Sequence, residues 1–235
     1  MTRILVITSC TGDKATVDHP GLQLSDFQNP ERLKRGEEIL NDLMRPAGLM
    51  YTGQQHVCAM NGVRLLRRTL GADAVKICVL SAGYGVIDED RLIAPYDVTF
   101  SSMPRSEARR WARQIGAADG IRTRQPGHDL VIVLLGSLYL EAVDPPLPMV
   151  DGQRVIYFAK AAERGRLTRT GGVLVLAGAR ESTRYRMGLI GLKGRMLELF
   201  AQAVAREGPP VVDAVCADGT GSIMTAILQR EVTHS

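Results

Sequence analysis

The hydrophobic pattern divides the chain into short apolar runs and longer amphipathic ones. Five runs are continuous rather than alternating: ILVIT from residue 4, VKICVLS from 75, LVIVLLG from 130, RVIYFA from 154 and VLVLAG from 173. Strands covered on both faces read this way, which predicts a mostly parallel or mixed sheet. Helical spacing lies between them. NPERLKRGEEILNDLM (29–44) opens with Asn29 as an N-cap and Pro30 at the first helical position. HVCAMNGVRLLRRTLG (56–71) stops at Gly71, a C-capping residue type. SEARRWARQIGAA (106–118) offers Ser106 as its cap, and GLKGRMLELFAQAVAREG (191–208) ends before Pro209. SIMTAILQREV (222–232) is the last amphipathic stretch, with VTHS as a frayed end. Strands alternating with helices predict a three-layer α/β fold, a central sheet flanked by helices, forming one domain over residues 1–235.

With 235 residues, 45% of them hydrophobic and 23% charged, the chain can bury one sizeable core, which excludes disorder as its main state. No apolar run approaches the roughly 18 residues of a membrane span, so no membrane partner is expected. The opening MTRILVITSC reads as a core strand, not as a leader peptide. The net charge of +4 is too small to identify a polyanionic partner. Its distribution says more, because basic residues gather in 104–124 and again in 160–195. Such grouping suits either a phosphate-binding surface or a solvated Arg-rich face. Lys14, Arg164, Arg166 and Arg184 are the candidate phosphate contacts. The four cysteines form no C-x-x-C and the histidines no paired spacing, so neither a metal nor another cofactor is expected. Free thiols without a leader suit a reduced cytoplasm.

In open α/β sheets ligands gather beyond the carboxyl ends of the strands. Those ends here read SCTGDK, SAGYGVID, GSLY, FAKAAERGR and GARESTRY. The densest stretch is LSAGYGVIDEDRLIAPYDVTF (80–100). Gly83 and Gly85 let a ligand approach the backbone, Tyr84 offers a ring, and Pro95-Tyr96 stiffens a loop that aims Asp97. Asp88 and Asp90 add carboxylates. A glycine turn with solvated acids is the plainer alternative.

Residues 80–100 resemble the central motif of the YaaA family of peroxide-stress proteins, in which Leu-Ser ends a strand, Tyr-Gly follows and Pro-Tyr comes about ten residues on. Other segments match in the same order. These are Tyr51-Thr52-Gly53 before a helix, Gly136-Ser137-Leu138-Tyr139 running on to Ala142-Val143, and Tyr157-Phe158-Ala159-Lys160 with Arg164-Gly165. The resemblance spans roughly residues 1–166. Ala161 stands where that family has a second Lys, SCTGDK is closer to its shorter relatives, and residues 167–235 resemble nothing recognised. The resemblance implies a fold of the uracil-DNA glycosylase type and a DNA-binding protein that limits oxidative damage. It also implies a pocket built from Tyr51, Ser81, Tyr84, Pro95, Tyr96, Asp97, Ser137, Tyr139 and Lys160.

Such a pocket suits a base or nucleotide. Tyr84 and Tyr96 are expected to sandwich a ring, Ser137 and Asp97 to bond its edge, and the cations to hold phosphate. If a base is excised, Asp97 is the first candidate carboxylate, Asp88 the second, and Cys10 a candidate nucleophile that still needs a base. Three functions follow: a cytoplasmic protein binding or processing nucleic acid or its bases, a nucleoside or nucleotide N-glycosidase or transferase, or a non-catalytic binding module.

Overall fold

A computed structural model describes residues 2–16 and 21–234. The expected central sheet is present. Its strands are β1 (Ile4–Ser9), β2 (Val75–Ser81), β3 (Gly85–Asp88), β4 (Leu130–Val133), β5 (Arg154–Ala159) and β6 (Val173–Leu176). Their order across the sheet is β3-β2-β1-β4-β5-β6. All pairs are parallel except β2 with the edge strand β3. The helices of six residues or more are α1 (Pro30–Ile39), α2 (Gln54–Leu70), α3 (Arg105–Gln114), α4 (Ala117–Arg122), α5 (Ser137–Ala142), α6 (Ala179–Arg184), α7 (Leu192–Glu207), α8 (Pro210–Ala217) and α9 (Ser222–His234). No helix among the described residues is long and apolar enough to cross a membrane.

The continuous apolar runs are strands with cores on both faces. Leu5 and Ile7 of β1 and Val131 and Val133 of β4 enter one core, where Trp111 of α3, Ile121 of α4 and Leu140 of α5 meet them. Ile4, Val6, Leu130 and Ile132 enter the other, under Val63 and Leu66 of α2, Leu197 and Phe200 of α7, and Leu228 of α9. Residues 167–235 therefore complete the second face. The seam between α2 and α7 is close because α7 carries Gly194 there. A Cβ at Gly194 would lie 2.2 Å from the Gln55 carbonyl oxygen.

Local signals explain most helix ends. Asn29 accepts hydrogen bonds from the backbone N–H groups of Glu31 and Arg32, and Pro30 starts α1. The helix stops at Ile39, short of the predicted residue 44. Gly71 closes α2 at φ 101°. Ser106 does not cap α3, since Pro104 occupies that place, and Gly116 in the left-handed region separates α3 from α4. Pro209-Pro210 does not stop the chain's helical course but starts α8, because proline is tolerated in a first turn. α9 continues to His234, and Ser235 lies outside the described residues.

Candidate functional site

The strand order places its reversal between β1 and β4, and the segments beyond those carboxyl ends carry Cys10 and Ser137. β2 ends beside them at Ser81. The Cys10 N–H donates to the Leu80 carbonyl at 3.0 Å, which carries the β1–β2 pairing one residue further.

Ser81 is fully buried and organises the motif that follows it. Its Oγ accepts the N–H of Gly83 at 3.2 Å and of Tyr84 at 2.9 Å, closing the turn. The same oxygen shares a 2.7 Å hydrogen bond with the Tyr96 hydroxyl, which shares another of 2.8 Å with the Tyr51 hydroxyl. The Trp111 indole N–H donates to the Ala82 carbonyl at 2.7 Å and pins the turn from the α3 side. Gly83 is required by packing: a Cβ there would sit 2.6 Å from the Phe27 ring. A second buried group lies nearby, with the Tyr139 hydroxyl 3.1 Å from both the Cys10 sulfur and the Thr99 hydroxyl. Burial pushes the phenols of Tyr51, Tyr96 and Tyr139 above their ordinary range. At neutral pH they are hydrogen-bonding hydroxyls and not bases.

Above this network lies an open groove of about 380 Å³. Lys14, Asp13 and Asp97 bring its charges, Gln23 and Thr52 add neutral polar groups, and Tyr96 lies in its floor. Asp97 is exposed, and its loop is held where the Asp97 N–H donates to the Leu22 carbonyl at 2.8 Å. The Lys14 ammonium stands 4.5 Å from the centre of the Tyr96 ring and donates to the carbonyls of Thr11 and Gly12. Burial lowers the Lys14 pKa, and Cys10, then Asp97 and Asp13, oppose that shift. The groove thus brings a cation and two carboxylates together above a buried hydroxyl network.

The structure brings Tyr51, Ser81, Tyr84 and Tyr96 together, and Cys10 with Tyr139. It corrects the expected base sandwich. Tyr84 and Tyr96 meet edge to face, with ring centres 5.5 Å apart and planes at 78°, and Phe27 packs edgewise on both. Neither pair of faces is parallel, and the 2% exposed Tyr96 has no open face for a ring. Asp88 is also corrected. It ends β3, opposite Cys78, and binds Arg124 through both carboxylate oxygens at 2.8 and 3.3 Å. It lines a different cavity, of about 630 Å³, toward the amino ends of the strands with Lys76. Cys10 shares its side-chain hydrogen bond with the Tyr139 hydroxyl, which is no base for a nucleophile, and the charge nearby is the Lys14 ammonium. Ser137 and Lys160 stand at the ends of β4 and β5 and do not line the Lys14–Asp97 groove. Of the phosphate candidates, Arg166 is turned to Glu163 at 2.7 Å, whereas Arg164 and Arg184 share another groove beside β6. His19, one of the scattered histidines, lies outside the described residues.

Sequence reasoning missed Phe27, Gln23 and Lys193 as site residues. Lys193 lies in the first turn of α7 with its amine buried on the Leu135 carbonyl. A signal for it exists, since a lysine at a helix amino end opposes the helix dipole and asks for another cause.

No curated protein matches the sequence. A family model does match, over residues 41–165, a span that holds α2, β2, β3, β4 and the Ser81–Tyr96 motif. That span is more than half of the chain, which therefore belongs to the family of unknown function DUF6884.

Proposed function

We propose that this protein binds a nucleoside or nucleotide in the groove at the carboxyl edge of its sheet. The observation that carries the reading is the pairing of exposed Asp97 with Lys14 in one groove above a buried hydroxyl network, beside the reversal of strand order. A carboxylate accepts from the N–H groups of a base or the hydroxyls of a ribose, and an ammonium meets a base carbonyl or a phosphate. The resemblance of residues 80–100 to the YaaA family supports the same ligand class, together with its implied kinship to glycosylase-type folds. A small ligand is favoured over a nucleic-acid strand because the arginines are not continuous with this groove. Four strand spacings separate β2 from β6, about 19 Å at ordinary sheet geometry.

The reaction this site can serve is release of a base from its sugar. Asp97 would orient a water or face the cationic sugar, and Lys14 would stabilise negative charge on the departing base. The close packing of Tyr51, Tyr84 and Tyr96 favours a second reading, a binding module without turnover, since a floor already filled by side chains leaves few groups to act.

Calorimetric titration with nucleosides and nucleotides, followed by chromatography for free base, separates the readings. Lys14→Gln and Asp97→Asn should each weaken binding about tenfold, the size of one lost charge-assisted bond. Asp97→Asn should also abolish base release while melting as the parent does. Binding without base release selects the module, and absence of binding by every nucleoside and nucleotide overturns the proposal.

A further inference from the structure

The outer edge of the sheet carries a second groove, apart from the carboxyl-edge site. Strand β6 forms its floor, α6 and the turn at Arg164–Leu167 one wall, and the start of α9 the other. Its volume is about 490 Å³. That is within the range of about 300–1,000 Å³ typical of small-molecule sites.

Three arginines line it, Arg164, Arg180 and Arg184. They come from two separate segments, the one after β5 and the one after β6. All three residues are exposed, and none takes part in an ion pair among the described residues. Arg184 lies beside the Tyr185 hydroxyl. Arg180 and Arg184 are four residues apart on α6, a spacing at which like charges repel and weaken a helix. Glu181 is the one acid in the lining, and its Oε2 is already engaged by the Gly178 N–H at 2.9 Å. Three cations therefore face one committed carboxylate.

The amino end of α9 is not what the groove offers. Asp218 closes it by accepting from the N–H groups of Thr220 and Ile223, both at 2.8 Å. The hydroxyls of Thr220 and Thr225 are likewise spent on Asp218 and the Gly221 carbonyl. What remains without a carboxylate partner is the arginine set, of which Arg184 also bonds the Tyr185 hydroxyl. Arginine forks match the oxygens of phosphate, and net positive charge of this size suits a doubly charged anion.

We propose that the β6-edge groove is a binding site for phosphate esters, held by Arg164, Arg180 and Arg184. The shared chemistry is the phosphoryl oxygen set, whether it belongs to a small phosphorylated molecule or to the backbone of a nucleic-acid strand.

Inorganic pyrophosphate, followed by calorimetry, and a labelled single-stranded oligonucleotide, followed by anisotropy, are the two probes. The test variant is Arg180→Gln with Arg184→Gln, both at exposed positions where folding is not at stake. Lys34→Gln with Arg35→Gln, also exposed, removes the same charge from α1 and serves as the comparison. Pyrophosphate should bind the parent protein, and the α6 variant should weaken it about tenfold or more while the α1 variant leaves it unchanged. If the oligonucleotide also binds, is displaced by pyrophosphate and is lost in the α6 variant, the natural phosphates belong to a nucleic-acid backbone. If the oligonucleotide does not bind, they belong to a small ester. Failure of both probes, or equal loss in both variants, overturns the site. A nucleoside carries no phosphate and reports on the Lys14–Asp97 groove alone, so this proposal and the one above fail independently.

Discussion

Ser81 has no solvent exposure and no charge, yet two backbone N–H groups and the Tyr96 hydroxyl depend on its oxygen. Its place at a strand end was legible, because an apolar run that stops at a serine before Gly and Tyr announces a turn. The edge-to-face meeting of Tyr84 with Tyr96 was not legible. It depends on Phe27, which arrives from a different part of the chain. Lys193 shows the same limit with a measurable consequence. Burial pulls its amine from 10.5 down to about 8, Glu163 opposing the shift and Lys160 adding to it. In the unfolded chain the amine titrates near 10.5. Below pH 8 both states hold the proton, and the folded state bears the whole cost of a buried charge. Between those values the unfolded state binds more protons, so this group makes stability rise with pH. Lys193→Met removes the titration. The parent should gain about 3 kcal/mol relative to the variant between pH 7 and pH 10.5, read from urea midpoints. A difference that stays flat over that interval would mean that the amine is well solvated.

At the scale of elements, all five apolar runs are strands, since two-sided burial leaves an unmistakable pattern. β3 escaped because four residues opening with Gly and ending in Asp look like a turn, and only its pairing with β2 makes it a strand. That misreading moved Asp88 into the wrong site, for an antiparallel return carries it back toward the amino end of β2. The α2–α7 seam gives an element-scale prediction in which two effects oppose each other. Gly→Ala ordinarily stabilises a helix, by about 1 kcal/mol in the interior and by less in a first turn such as the one that holds Gly194. At Gly194 the new methyl would press on the Gln55 backbone oxygen, which has no rotamer by which to yield. Overpacking of that kind costs about 1–3 kcal/mol, and a backbone neighbour puts this case at the upper end. Gly194→Ala should therefore lower the melting temperature in a thermal scan, and a rise would show that the helices can part freely.

For the whole molecule, the matched segment and the folding unit differ. Residues 41–165 omit β1, the strand between β2 and β4, and they omit α7, which covers α2, and α9, which packs on α7 and β6. That segment expressed alone should lack a cooperative melt and dispersed amide resonances. A sharp two-state transition would show that β2 and β4 can pair without β1. The split of the charge clusters belongs to this scale too. Basic residues were visible in the sequence, but which of them face each other depends on how far apart β2 and β6 lie, and no local pattern encodes a distance across the sheet.

The central place of β1 also sets an order of events during synthesis. β1 leaves the ribosome before either of its neighbours and must wait for them, since β2 and β4 are made after it. α2 waits longer. Its apolar stripe is covered by α7, whose translation ends more than a hundred residues later. At ordinary rates of elongation that is an interval on the order of ten seconds. Throughout it the nascent chain carries a bare helix face and a half-built sheet, so the stretch between α2 and α7 is where this protein most needs a chaperone's company.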